Sequence, residues 1–271
     1  MIEERTSGPS ASVGDFASIA PSARLHPTVR IGAYASVHED VVIGSGVVVG
    51  ERVSIREGAR IGEGVAIDDG AIVGAGVTVH RGARLRMGAV LHSDVPRHAV
   101  VAGNPAAIVG YVDTKGEGTD APRLVEPSGL TERMPLQTGG CFLDPVPNFA
   151  DVRGSLTALE HGRGVPFEPR RVFLVHGVGS RHVRGEHAHR VCEQFLVAVN
   201  GSLSVMIDDG RQREEVRLSD KSVGLYLAPG TWGVQYKFSP DCILMVLASH
   251  PYDDADYIRD YDDFLHQAAQ R

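Results

Sequence analysis

Cysteine is sparse in this chain of 271 residues. Cys141, Cys192 and Cys242 are the only three, and they are far apart. No CxxC pair exists to suggest a zinc knuckle or a redox couple, and an odd number does not make a disulfide framework, so free thiols are expected. Long apolar runs are also missing, which excludes a membrane-spanning helix. The first residues, Met1 to Ser10, contain neither an apolar segment nor a cleavage site, so a cytoplasmic protein without a secretion signal is expected. An excess of positive charge is absent too. The formal net charge is −7, which argues against nucleic acid as a partner, although local arginines remain available for a small phosphate ligand.

What remains is the composition of a soluble globular protein, 42% hydrophobic and 23% charged, long enough for two domains. The amino-terminal part is periodic. Every sixth residue from Val13 to Leu91 is a large aliphatic residue, and every sixth from Ala17 to Val95 is Ala or Val. Neither an α-helix nor an ordinary strand has that period. Repetition at six residues marks a parallel β-helix, in which each short strand turns one large and one small apolar side chain inward before a corner. Gly32, Gly44, Gly50, Gly62 and Gly74 follow the large residue directly, where a tight corner benefits from a missing Cβ.

These hexads, with the closing stretch Asp94 to Ala106, resemble the hexapeptide-repeat acyltransferases. The resemblance implies a left-handed triangular prism over residues 13–112, three hexads per coil, that assembles into trimers. It also implies acetyl-CoA as acyl donor and N-acetyl transfer to an amino sugar. The loop that shapes the sugar site in such enzymes is missing, because the hexads run without interruption. His26, His38, His80 and His92 are the candidate bases for acyl transfer, His26 sharing a prism column with His80 and His38 with His92. The competing reading makes them solvent-facing corner residues and the prism an inactive trimerisation scaffold.

The rhythm stops after Tyr111, and residues 113–135 read as a polar, glycine-rich linker. From 136 to 267 short β-rich runs alternate with turn signals, among them the hairpin turn Asp208-Asp209-Gly210. Strands are expected at Leu156–Glu160, Arg171–Val175, Glu193–Val199, Leu203–Ile207, Glu215–Leu218, Gly224–Leu227 and Ile243–Leu247. A terminal helix is expected from Tyr252 to Gln270. The fold class is therefore all-β: a parallel β-helix followed by an antiparallel barrel with a short terminal helix.

Within the barrel, Arg184-Gly185-Glu186-His187-Ala188-His189 puts two imidazoles at strand spacing, on one side of the sheet. With Gly201 this segment resembles the first motif of cupins. In metal-binding cupins that motif continues to a glutamate and a later histidine. Here Gln194 holds the glutamate's place, Glu193 is one step off and points outward by alternation, and the second motif, Pro229-Gly230-Thr231-Trp232-Gly233-Val234, supplies no histidine. No metal is expected.

More of the domain resembles the WxcM-like sugar nucleotide 3,4-ketoisomerases, which act on dTDP-4-keto-6-deoxyglucose. The matching stretches are Asp151 to Leu156, Pro166 to Glu168, Arg171 to Phe173, Arg184 to His189, Asn200 to Ser202, Gly224 to Tyr226, Val246 to Ser249 and Asp256 to Tyr261. The resemblance implies a cofactor-free isomerisation of a dTDP-linked keto-deoxy sugar, and an assembly built on β-helix trimers and cupin dimers. Moving a ketone from C4 to C3 needs an acid and a base on one edge of the ring, a role for His187 and His189. Arg184 and Arg171 are candidates for the diphosphate, Gln194 for a sugar hydroxyl, and Arg153 and Trp232 for further substrate contacts. Two departures stand out: Leu174 where the family often has an aromatic hydroxyl, and Gly233 where a basic residue often follows the tryptophan. They leave open a non-catalytic sugar-nucleotide-binding module.

Overall fold

The computed structural model describes residues 11–112, 123–127, 129–179 and 182–271. The chain divides into two compact units between Val112 and Asp113. No helix among the described residues is long and apolar enough to cross a membrane.

The first unit is a β-solenoid. Two-residue strands pair in parallel with the strand eighteen positions on, as Val42 pairs with Arg60 and Ile43 with Ile61, so that three sheets form the faces of a prism. The period of six follows from this: a hexad is one strand plus one corner, and three hexads close a coil. Both inward sets are buried, Val41, Val47 and Val65 at 0% exposure beside Ile43 and Ile67 at 2%. The backbone is satisfied coil to coil, for example Gly44 N–H to Ile61 C=O at 2.8 Å.

Glycine serves two separate purposes at the corners. Gly46, Gly58, Gly64, Gly70, Gly76, Gly82 and Gly88, three places after the large residue, have φ between 65° and 69°. The glycines directly after the large residue answer close approach instead: a Cβ on Gly32 would lie 2.5 Å from the Gly50 carbonyl carbon. The antiparallel strand Ala107–Tyr111 closes the far end against Ala99–Ala102. At the near end Val13 is 47% exposed, with no described coil preceding it, and Phe16, at an outward corner position like Tyr34, is 79% exposed.

The second unit is a barrel of two six-stranded sheets. One holds, in order, Arg123–Val125, Arg213–Leu218, Leu203–Asp208, Trp232–Tyr236, Arg184–His189 and Tyr257–Ile258; the other holds Met134–Pro135, Phe142–Pro145, Val223–Leu227, Gln194–Asn200, Ile243–Ala248 and Arg171–His176. Leu143, Leu196, Leu203, Val205, Ile207, Val216, Leu225 and Leu244 fill the space between them. The hairpin Asn148–Asp151 with Gly154–Thr157 pairs with no other described strand and exposes Phe149, Val152 and Leu156.

Three expectations are corrected. Residues 123–135 are not all tether: Arg123–Val125 pairs with Glu214–Val216, and Met134–Pro135 pairs with Phe142–Leu143. Both strands are short, the first flanked by Pro122 and Pro127 and the second containing Pro135, which hid them. The rest of the expected linker, 113–122, lies outside the described residues. The expected strand Leu156–Glu160 is split between Gly154–Thr157 and Glu160–His161.

The terminal helix spans only Tyr261–Ala269, not Tyr252 onward. Asp253 caps a 3₁₀ turn, Tyr257–Ile258 extends as a strand, and Asp260 then starts the helix by accepting from the Asp262 and Asp263 amides. A buried chain of hydrogen bonds anchors that helix to the 203–218 hairpin. Tyr261 donates to Asp208 Oδ2 at 2.5 Å, and Arg213 donates to the same oxygen and to the Tyr261 hydroxyl.

Candidate active site

The histidine strand is bulged. Gly185 faces Val234 and His187 faces Gly233 across the ladder, which leaves Glu186 as the extra residue with φ 55°. Such a bulge redirects the side chains beyond it. Gly185 is required beside it, since its φ is 85° and a Cβ there would sit 2.5 Å from the Gly233 carbonyl oxygen. After the bulge, His187 and His189 stand with ring centroids 5.0 Å apart and planes at 86°. Tyr257, brought alongside by the pairing of Tyr257–Ile258 with Ala188–His189, packs 4.8 Å from one ring and 4.4 Å from the other.

The hydrogen bonds assign both imidazole tautomers. Asp256 is a carboxylate: burial opposes its ionisation, but the Val191 and Cys192 amides and His189 hold it below the ordinary range. His189 Nδ1 therefore donates to Asp256 Oδ2 at 2.7 Å, which makes Nε2 the acceptor for the Gln194 amide at 3.0 Å. His187 Nδ1 donates to the Gly185 carbonyl at 2.9 Å, so its Nε2 is an open lone pair. Burial is the main cause that brings His187 down to about 4, and it also lowers His189 against the pull of Asp256. The charges of Arg171 and Arg259 push both in the same direction. At neutral pH both rings are uncharged bases.

They open on a small barrel cavity, lined also by Gln194, Cys192, Thr231, Gly233 and Gln235. Gly233 lines this wall without filling it. Arg171 lies beside the site, its buried Nε without a partner and its guanidinium 5.1 Å from the Phe173 ring and 5.6 Å from that of Tyr252. Arg259 stacks on Tyr257 at 4.3 Å and pairs with Asp254 at 2.9 Å.

Other sequence candidates are not gathered here. Arg184 is exposed at the start of its strand, opposite Gln235. Arg153 sits on the exposed hairpin, bound to Asp151 at 2.5 Å. Trp232 points the other way, edge-on to Tyr261 at 5.1 Å and 5.5 Å from Phe264, so it packs the terminal helix rather than the cavity. Glu193 faces away, accepting from the Tyr226 hydroxyl at 2.6 Å. Leu174 is 54% exposed on the edge strand. In the solenoid, His26 and His80 follow strands of one sheet, and His38 and His92 those of another, in each case three coils apart. His26 Nδ1 lies 2.9 Å from Thr28 Oγ1 and accepts from the Thr28 backbone N–H at 3.3 Å.

Sequence reasoning missed Asp256, Tyr257, Arg259 and Cys192 as site residues. Asp256 and Tyr257 do lie in the Asp256–Tyr261 stretch that carried the resemblance, but reading that stretch as helix hid their place beside the histidines.

Comparison with known proteins agrees with both halves. A family model described as FdtA: WxcM-like, C-terminal, matches residues 140–269, and one for the bacterial transferase hexapeptide matches residues 22–57. A protein of Aneurinibacillus thermoaerophilus, TDP-4-oxo-6-deoxy-alpha-D-glucose-3,4-oxoisomerase, is 46% identical over 114 residues, covering 42% of this chain and 82% of that one. Among solved structures, QdtA, a sugar 3,4-ketoisomerase from Thermoanaerobacterium thermosaccharolyticum in complex with TDP, is 35% identical, covering 49% of this chain and 97% of that chain with a TM-score of 0.48. The WlaRB TDP-quinovose 3,4-ketoisomerase from Campylobacter jejuni is 39% identical over 47% of this chain and 98% of its own, with a TM-score of 0.46. With its carboxy-terminal barrel preceded by hexapeptide repeats, the chain belongs to the WxcM-like family.

Proposed function

We propose that the barrel isomerises a TDP-linked 4-keto-6-deoxyhexose to the 3-keto sugar by proton transfer through His187 and His189. The supporting observation is one cavity that holds an Asp256-backed imidazole beside a second imidazole with an open Nε2. The oxoisomerase of A. thermoaerophilus supports the substrate class.

In this reading the sugar displaces the Gln194 amide from His189 Nε2, which then removes the C3 proton. The C3–H electrons form the C3=C4 bond while the C4 carbonyl electrons move onto O4, and Asp256 stabilises the resulting imidazolium. His187 Nε2 carries the O3 proton to O4. The enediolate collapses to a ketone at C3 as His189 returns its proton to C4. Arg171, with an unpartnered buried N–H, is the candidate for developing oxyanion or diphosphate charge. The chemistry uses side chains alone and no cofactor.

For the solenoid we propose the scaffold role. None of His26, His38, His80 and His92 has a side-chain hydrogen bond to a carboxylate among the described contacts, and His26 is held only through Thr28. Tight binding of acetyl-CoA in calorimetry would refute this and favour N-acetyl transfer. Trimers through the solenoid and dimers through the barrel complete the reading, the latter supported by the exposed apolar side chains of the 148–157 hairpin.

Incubating the protein with TDP-4-keto-6-deoxyglucose in deuterium oxide tests the isomerase. Loss of the H3 signal by NMR is expected for the wild type only; exchange no faster than in His187→Ala and His189→Ala would defeat the proposal.

A further inference from the structure

A ring nitrogen of His189, Cys192 Sγ and an Asp256 carboxylate oxygen all lie within 4.8 Å of one another, the one such trio of potential metal ligands among the described residues, and of the two nitrogens Nδ1 is the one that faces Asp256, at 2.7 Å. Cys192 is 3% exposed and lines the cavity on which both imidazoles open. This group differs from the inward-facing set of His187, His189 Nε2 and Gln194. That set offers only neutral donors, a poor match for a divalent cation. The outer trio offers imidazole nitrogen, thiolate sulfur and carboxylate oxygen, the donors zinc prefers, and its two negative charges neutralise a dication in a low-dielectric setting.

We propose that His189, Cys192 and Asp256 form a zinc site through which Zn²⁺ reversibly inhibits the enzyme. Tetrahedral zinc needs ligands at about 2.0–2.3 Å, so the trio contracts around the ion while the 2.7 Å His189–Asp256 contact opens to admit it. The proton balance explains the inhibition. Zinc replaces the proton on His189 Nδ1 and that of the Cys192 thiol. The imidazole stays neutral by taking a proton on Nε2, so one proton is released per ion. Nε2 then becomes a donor, turned toward Gln194, and can no longer accept the C3 proton. The inhibitory part rests on the proposed ketoisomerase activity; the binding part does not.

The test uses the full chain after chelator treatment. Titration with Co²⁺ is expected to produce, at one equivalent, a thiolate-to-cobalt charge-transfer band and the visible bands of a tetrahedral ion, both erased by Zn²⁺. Cys192→Ala removes the thiolate band, Asp256→Asn weakens binding at least about tenfold, and Cys141→Ala and Cys242→Ala retain the full spectrum. Absence of the band in the wild type, or its persistence in Cys192→Ala, overturns the site. If Cys192→Ala fails to fold, Asp256→Asn and proton release in weak buffer carry the same decision.

In turnover assays, Zn²⁺ inhibition reversed by EDTA is expected, with the half-inhibitory concentration raised at least about tenfold by Cys192→Ala. Equal inhibition of wild type and variant would overturn the mechanism. A full cobalt spectrum in a protein without ketoisomerase activity would leave the metal site standing and remove the proposed function instead.

Discussion

The smallest scale sets the reactivity. Asp256 fixes the His189 tautomer, so Asp256→Asn preserves shape while reversing the donor that faces Nδ1. Turnover should fall by about 10²–10⁴-fold with KM changed only a few-fold. A variant that loses affinity and keeps kcat would mean that Asp256 is structural. His187 leads to a stability prediction. Unfolded imidazole takes a proton near pH 6.5, whereas in the fold His187 does so only at about 4. Between those values the unfolded state binds more protons, so stability declines as pH falls through that window, by up to about 3 kcal/mol from this group. The drop in urea midpoint between pH 7 and pH 5 should be visibly smaller in His187→Gln; equal drops would exclude His187 as the cause.

At the scale of elements, what was legible depended on repetition. The solenoid could be read hexad by hexad because the same inward pair recurs from Val13 to Val95, and the central barrel strands followed from alternation. Elements that borrow their order from tertiary contacts were missed: the short strands Arg123–Val125 and Met134–Pro135, and Tyr257–Ile258, which reads as helix because Tyr257, Ile258, Tyr261 and Phe264 share helical spacing. The paired histidines announced the site, but their tautomers depend on Asp256, sixty-seven positions from His189, and no local pattern reports such a contact. Trp232 was misassigned for the converse reason, since sequence places it beside the cavity wall but not on which side of the sheet it faces.

The two kinds of corner glycine separate experimentally. Gly64→Ala meets no atom within 4 Å and carries only the left-handed backbone cost, about 1–2 kcal/mol. Gly32→Ala drives a methyl into the backbone of the next coil and should cost more than about 2 kcal/mol. Thermal melts that ranked them the other way would show that close approach is not what keeps glycine at position 32.

Taken whole, the molecule folds as two units whose interiors are built on unrelated periods, one of six residues along a stack and one of two across facing sheets. Calorimetry should therefore show two transitions, or one whose calorimetric enthalpy exceeds the van't Hoff value. A single transition with equal enthalpies would mean that the units unfold as one. The stack also constrains how this lineage can change length. Because the hexad strands pair with counterparts eighteen positions on, until the closing turn where Arg84 pairs with Val100, losing or duplicating a single residue shifts all later hexads out of line, while a whole turn can be gained or lost with no mismatch. Variation among related chains should therefore come in quanta of eighteen residues, each adding one storey of about 4.8 Å to the tower.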